Sequence, residues 1–201
     1  MNTQLTEIIF LLDRSGSMGG FESDTIGGFN AFIEKQSEEP GEAIVTTVLF
    51  DDQYEILWNG VSAKEIKLTE NEYYVRGMTA LLDAVGKTIL DVGERLSKTQ
   101  EHERPGKVIF VITTDGMENS SKEFNYDRVR ELIKHQEEKY SWEFIFLAAN
   151  IDASQEAAKI GIKHDDAFGY EVSVDGIQKM YSVVNETVTK RRQKHQSDQQ
   201  P

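Results

Sequence analysis

Apolar runs and helix-period patterns alternate along this chain from end to end. Ile8-Ile9-Phe10-Leu11-Leu12 is a short continuous apolar run, the pattern of a strand buried on both faces. A Gly/Ser-rich turn from Ser15 to Gly20 follows, and then Ile26, Phe29 and Ile33 fall on one face of a helix. Ala43 to Phe50 is rich in β-branched residues and predicts a second strand. Asp51-Asp52-Gln53 predicts a tight turn, with Tyr54 to Trp58 as the returning strand of a hairpin. Asn59 to Met78 is mixed and predicts loop. From Thr79 a helix is expected, because Leu82, Val85, Ile89, Val92 and Leu96 recur at three- and four-residue steps. After a polar break from Glu101 to Gly106, Val108 to Ile112 reads as another buried strand. Val129, Leu132 and Ile133 mark a helix, Phe144 to Ala148 a strand, Ser154 to Lys159 a short helix and Ala167 to Tyr170 a weak strand. The last helix carries Ile177, Met180, Tyr181, Val184 and Val188 on one face.

Strands separated by helices imply right-handed crossovers and a parallel sheet covered on both sides. The expected fold is α/β: a Rossmann-like, doubly wound, mainly parallel sheet with one antiparallel edge strand and helices on both faces. No repeat or linker divides the chain, so residues 1–189 are read as a single domain. Lys190 to Pro201 is polar and predicts a disordered tail, its basic cluster suited to a solvated helix end.

Composition narrows the function. The 201 residues suffice for one well-packed domain, and 38% hydrophobic with 28% charged residues suits a soluble protein. No apolar run reaches the roughly 20 residues of a membrane span. Met1 to Glu7 lacks the basic start and apolar core of a signal peptide, so a cytoplasmic location is expected. There is no cysteine, which excludes disulfides and thiolate metal sites. A formal net charge of -13 opposes nucleic-acid binding. His102, His135, His164 and His195 are scattered among polar residues and read as surface groups, and Asp165-Asp166 reads as loop.

Hard oxygen donors stand out against this background. Asp13-Arg14-Ser15-Gly16-Ser17 directly follows the first buried strand, at the strand end where open α/β sheets bind ligands. It offers one carboxylate and two hydroxyls, with Gly16 allowing a tight turn between the serines. Asp115-Gly116 follows the strand Val108 to Ile112 in the same way, through Thr113-Thr114. Thr79 either caps its helix or turns its hydroxyl toward the same edge. Asp13 and Asp115 held a few ångströms apart would repel, and a divalent cation relieves that conflict. With oxygen donors only, Mg2+, Mn2+ or Ca2+ fits better than zinc or copper. Taken singly, each piece also has a plain structural account: a capped turn at Asp13 to Ser17, an N-cap at Thr79, an ordinary turn at Asp115-Gly116. Asp51-Asp52 reads as a turn rather than a second metal site. Glu118 and Asn119 follow Asp115 closely enough to border the site, and Asn119 or Ser120 is alternatively a helix N-cap.

The three segments in this order resemble the von Willebrand factor A (vWA) domain family. Asp13-Arg14-Ser15-Gly16-Ser17 is similar to its DxSGS signature, Thr79 in Gly77-Met78-Thr79-Ala80-Leu81 to its second-loop threonine, and Asp115 in Thr114-Asp115-Gly116 to its third-loop aspartate. The resemblance covers about residues 5 to 189 and points to a stand-alone bacterial or phage type. It implies a metal-ion-dependent adhesion site (MIDAS) with Asp13, Ser15, Ser17, Thr79 and Asp115 as ligands, direct or through water; by their places in sequence, Gly16, Gly116 and Glu118 are expected beside them. The implied function is a cation-dependent module, not an enzyme, that engages an Asp or Glu carboxylate of a protein partner. Two alternatives stand beside it: a Mg2+-dependent phosphohydrolase or phosphotransferase, and a scaffold that the cation merely stabilises. The phosphoryl-transfer reading lacks its helpers, with no second Asp two residues after Asp13 and no Walker lysine loop.

Overall fold

A computed structural model describes residues 1–197. Six strands form one sheet: β1 (Asn2–Asp13), β2 (Glu42–Phe50), β3 (Tyr54–Ser62), β4 (Pro105–Thr114), β5 (Glu143–Ala149) and β6 (Ala167–Tyr170). Five α-helices accompany them: α1 (Glu22–Glu38), α2 (Leu81–Lys98), α3 (Tyr126–Tyr140), α4 (Ala153–Lys159) and α5 (Val174–Ser197). The strand order is β3-β2-β1-β4-β5-β6, parallel throughout except for the antiparallel β2–β3 hairpin at one edge. The expected α/β architecture is the observed one.

The continuous apolar runs follow from burial on both faces. Along β1, Ile9 and Leu11 pack under α2, α3 and α4, while Ile8, Phe10 and Leu12 pack under α1 and α5. Strand side chains alternate, so a strand segment covered on both faces is favoured to be apolar at successive positions, as Ile8 to Leu12 are. Phe10 anchors the second layer edge-on to Phe29 and Phe32, with both ring centroids at 5.4 Å. The buried face of α1 is Thr25, Phe29, Phe32, Ile33 and Gln36, whereas Ile26, expected on it, is half-buried.

Several boundaries shift from expectation. Strand β3 continues to Ser62, into the stretch expected to be loop. Helix α2 starts at Leu81 with Ala80 at the cap position, so Thr79 is not its N-cap. Helix α3 is capped by Asn125, whose side chain accepts from Arg128 N at 2.9 Å, not by Asn119 or Ser120. The expected tail is helical as far as Ser197, and residues 198–201 lie outside the described residues. The reason is Arg192, which is fully buried between α5 and α1. Its guanidinium donates to Gln36 O at 2.6 Å, Gln36 Oε1 at 3.0 Å and Pro40 O at 3.3 Å. A cation there also satisfies the carbonyls at the C-terminal end of α1. His195 is likewise half-buried rather than a surface group, whereas His102, His135 and His164 are exposed.

Arg192→Met keeps the length of the stem and removes these hydrogen bonds. It is expected to lower stability by about 1–3 kcal/mol, read from denaturant unfolding. A loss below half a kcal/mol would show that α5 is held by its apolar face alone.

Candidate metal centre

The sheet changes winding direction between β1 and β4. These neighbours are parallel, with Leu12 opposite Thr113, and the chain leaves them toward opposite edges of the sheet. Loops that diverge at such a switch point leave a crevice beyond the strand ends. Asp13 ends β1 and Asp115 follows the last residue of β4, so both carboxylates stand at that crevice.

The first loop is shaped by its own carboxylate. Asp13 Oδ1 accepts from Ser15 N at 2.8 Å, which turns the chain sharply after the strand. Its Oδ2 accepts from Thr114 Oγ1 at 2.7 Å, a bond between the ends of β1 and β4. Ser15 and Ser17 then point their hydroxyls at the third loop. Ser17 Oγ donates to Asp115 Oδ1 at 2.7 Å, Ser15 Oγ to the same oxygen at 3.3 Å, and the two hydroxyl oxygens are 3.2 Å apart. Thr79 arrives from the second loop. A Cβ placed on Gly116 would lie 3.8 Å from both Ser17 Oγ and Thr79 Oγ1. Gly116 therefore sits against two of the hydroxyls, and Gly16, whose N donates to Gly77 O at 3.2 Å, ties the first loop to the second. The structure thus gathers Asp13, Ser15, Ser17, Thr79 and Asp115 at one place.

Glu118 is placed differently. Its carboxylate accepts from Leu82 N, Ser120 N, Ser121 N and Ser121 Oγ, so it holds the third loop against the first turn of α2. It is a positioning residue. Asn119 joins the second and third loops. Its Oδ1 accepts from Thr79 N at 2.9 Å, and its N donates to Thr79 O at 3.0 Å. Tyr73 OH donates to Asp13 O at 2.7 Å, Tyr170 OH to Thr114 O at 3.2 Å and Asn150 Nδ2 to Asp115 O at 3.0 Å. Sequence reasoning missed Thr114, Tyr73, Tyr170 and Asn150. Thr114 had a signal in its place beside Asp115, while the tyrosines and Asn150 come from distant segments and had none.

The electrostatics favour a bound cation. Burial pushes Asp13 up from 3.8 to about 6 against the pull of its Ser15 and Thr114 hydrogen bonds, and Asp115 adds to the rise. Burial also raises Asp115, whose Ser17 and Ser15 bonds oppose the change. Asp115 Oδ2 is buried without a hydrogen-bond partner. A buried carboxylate oxygen left unpaired is costly, and a divalent cation would satisfy it. The donor set is two carboxylates and three hydroxyls, all hard oxygens, which fits Mg2+ or Mn2+. Among the described residues no group of three or more His, Cys, Asp or Glu is placed to hold a metal, so the hydroxyls are essential to the fit.

No protein-family model matches the chain, and no curated protein matches it in sequence. Solved structures match its fold. Proximal thread matrix protein 1 from the mussel byssus superposes on 92% of this chain at a TM-score of 0.69 and 17% identity. A further structure of that protein, with a zinc-occupied MIDAS motif, matches over 92% at a TM-score of 0.61 and 16% identity. This chain covers 46% of the mussel protein, spanning about half its length. Manganese-loaded TRAP from Plasmodium vivax matches over 74% of this chain and 58% of its own, at a TM-score of 0.53 and 16% identity. The ArnB paralog VWA2 from Sulfolobus acidocaldarius matches over 92% and 45%, at a TM-score of 0.56 and 17% identity. The likeness is one of fold, and the fold of this chain is vWA-like.

Proposed function

We propose that this chain is a divalent-cation-dependent protein-binding module that engages an acidic residue of a partner through a MIDAS-type site. The observation that carries the reading is Asp115: one oxygen collects two serine hydroxyls, the other is buried and unpaired, and its charge is felt by Asp13. Asp13, Ser15, Ser17, Thr79 and Asp115 would hold the ion. When bound, the cation supplies positive charge and an open coordination position for a carboxylate. The chain's own residues fix the donors. Thr114 orients Asp13, Asn119 orients Thr79, and Glu118 anchors the loop that carries Asp115. One neighbour with this fold has a zinc-occupied MIDAS motif and another is manganese-loaded, which supports the reading that this chain binds a divalent ion.

The module is also proposed not to be an enzyme. No histidine reaches the site: three are exposed elsewhere, and His195 lies by Gly106, near the start of β4 and away from the strand end. Among the described residues no helix is long and apolar enough to cross a membrane, so a partner in solution or on a surface is compatible with the fold.

Calorimetry with Mg2+ and Mn2+ is expected to show one saturable site that Asp13→Asn removes. Proteins captured from native lysate in Mg2+ are expected to be lost in EDTA. Capture of the same proteins with and without chelator would reduce the metal to a structural role, and turnover of a phosphoester panel that depends on Asp13 would favour phosphoryl transfer.

A further inference from the structure

The loops that carry the donors also carry exposed methionines. Met78 immediately precedes Thr79, and Met117 immediately follows Gly116. Thr79 and Asn119 pair through two hydrogen bonds at 2.9 and 3.0 Å, which sets the second and third loops side by side. Met78 is 52% exposed and Met117 65%, whereas Met18 and Met180 are buried at 4% each. Neither exposed methionine belongs to either hydrophobic core cluster. Tyr74, also exposed in the second loop, is accounted for by stacking on Arg14 and Arg76.

Single exposed apolar residues need no explanation, but two that adjoin donor-bearing positions in paired loops do. Methionine is flexible and polarisable and adapts to varied apolar surfaces. The net charge of -13 bears on the partner as well. An acidic surface repels a strongly acidic ligand, so close-range apolar contact must supply what long-range attraction cannot.

We infer that Met78 and Met117 form an apolar rim selecting a partner segment with a single acidic residue flanked by bulky apolar side chains. This rests on the metal-site reading above. The carboxylate would meet the ion while its neighbours cover the two thioethers. A partner rich in acidic residues gains no such contact and meets the repulsion.

The test uses the full chain, labelled with 13C at the methionine methyls and saturated with Mg2+. Three capped five-residue peptides are compared, each with a central Asp flanked by two leucines, two serines or two glutamates. The leucine peptide is expected to bind about five- to tenfold more tightly than the serine peptide, and the glutamate peptide more weakly than either. The Met78 and Met117 methyl signals should move with the leucine peptide, while those of Met18 and Met180 stay still and report an intact fold. The double variant Met78→Gln, Met117→Gln should erase the preference while holding Mg2+ affinity within twofold. Equal affinity for the leucine and serine peptides with Mg2+ bound overturns the rim and leaves the metal reading standing. A preference that survives the double variant overturns it too. Failure of Mg2+ to bind, seen by calorimetry, overturns both.

Discussion

In metal-free protein at pH 7.5, Asp13→Asn is expected to raise stability by about 1–3 kcal/mol while lowering Mg2+ affinity at least about a hundredfold. The two effects have opposite signs because they share a cause. Burial lifts Asp13 from 3.8 in the unfolded chain to about 6 in the folded one. Below the lower value both states hold the proton, and ionisation costs nothing. Between the two values the unfolded chain has released its proton and the folded chain has not, so stability falls by about 1.4 kcal/mol per pH unit. Above about 6 the folded chain is ionised and the full cost remains. Asparagine avoids that cost and fits the bonding. Its Oδ1 can accept from Ser15 N, and its amide can donate to Thr114 Oγ1, whose hydroxyl then turns to Gly116 O, 3.2 Å away. Wild type in EDTA should therefore lose stability relative to the variant between pH 5 and 7.5. Added Mg2+ should recover it for wild type alone, because an ion bound only by the native state stabilises that state. Denaturant unfolding at the two pH values, with and without Mg2+, reads all of this. A variant less stable than wild type in EDTA at pH 7.5 would mean that Asp13 is stabilising in its own right and not held in readiness for a cation.

That tension is what made the site readable in sequence. A carboxylate at the end of a fully buried strand conflicts with burial, and two such strand ends with serines between them conflict twice over. Local rules broken in one place are the mark of function rather than of packing. The strands were readable for the converse reason: Ile8 to Leu12 of β1 and Val108 to Ile112 of β4 are apolar without a break, since both faces are covered. What stayed hidden were contacts between segments far apart in sequence. Thr79 has good capping chemistry, and only the start of α2 at Leu81 shows that it is free of that duty. Gln36 and Arg192 lie 156 positions apart, and a polar tail gives no sign that its arginine is buried against another helix. Asn150 adopts a left-handed backbone at φ 59°, a turn geometry that its sequence context did not announce. In each case tertiary packing, not local propensity, decided the outcome.

Arg14 shows the same limit most clearly, since it occupies the variable position of the DxSGS pattern and yet is fully buried. Its Nε donates to Asp51 Oδ2 at 3.0 Å, and both side chains have no exposed surface. Arg76 Nε donates to the same oxygen at 2.7 Å, and Glu55 Oε2 takes Arg14 Nη1 at 2.8 Å. Asp51 thus anchors two arginines, one from the first loop and one from the second, and its own N and O bond Gln53 O and Ala80 N. Asp51→Ala would leave Arg14 buried with only half-exposed Glu55 as counter-ion. The expected loss is about 3–5 kcal/mol, the cost of stranding a buried charge. The paired change Arg14→Met with Asp51→Leu should cost less than the sum of the single changes, because no charge is then left alone. The clamp also bears on the metal. Arg14 lies between Asp13 and Ser15, and its backbone is pinned by Phe50 O at 2.9 Å and Arg76 N at 2.8 Å. Asp51→Ala should therefore weaken Mg2+ binding by about tenfold or more, as the loss of groups that orient ligands does. Phe144→Ala is the control: it removes a buried ring on β5 at a similar cost of about 3–5 kcal/mol without touching the three loops. Calorimetry on both variants under conditions where each is folded separates the cases. If both bind Mg2+ as wild type does, the arginine clamp serves stability alone, and the donors are positioned by their own hydrogen bonds.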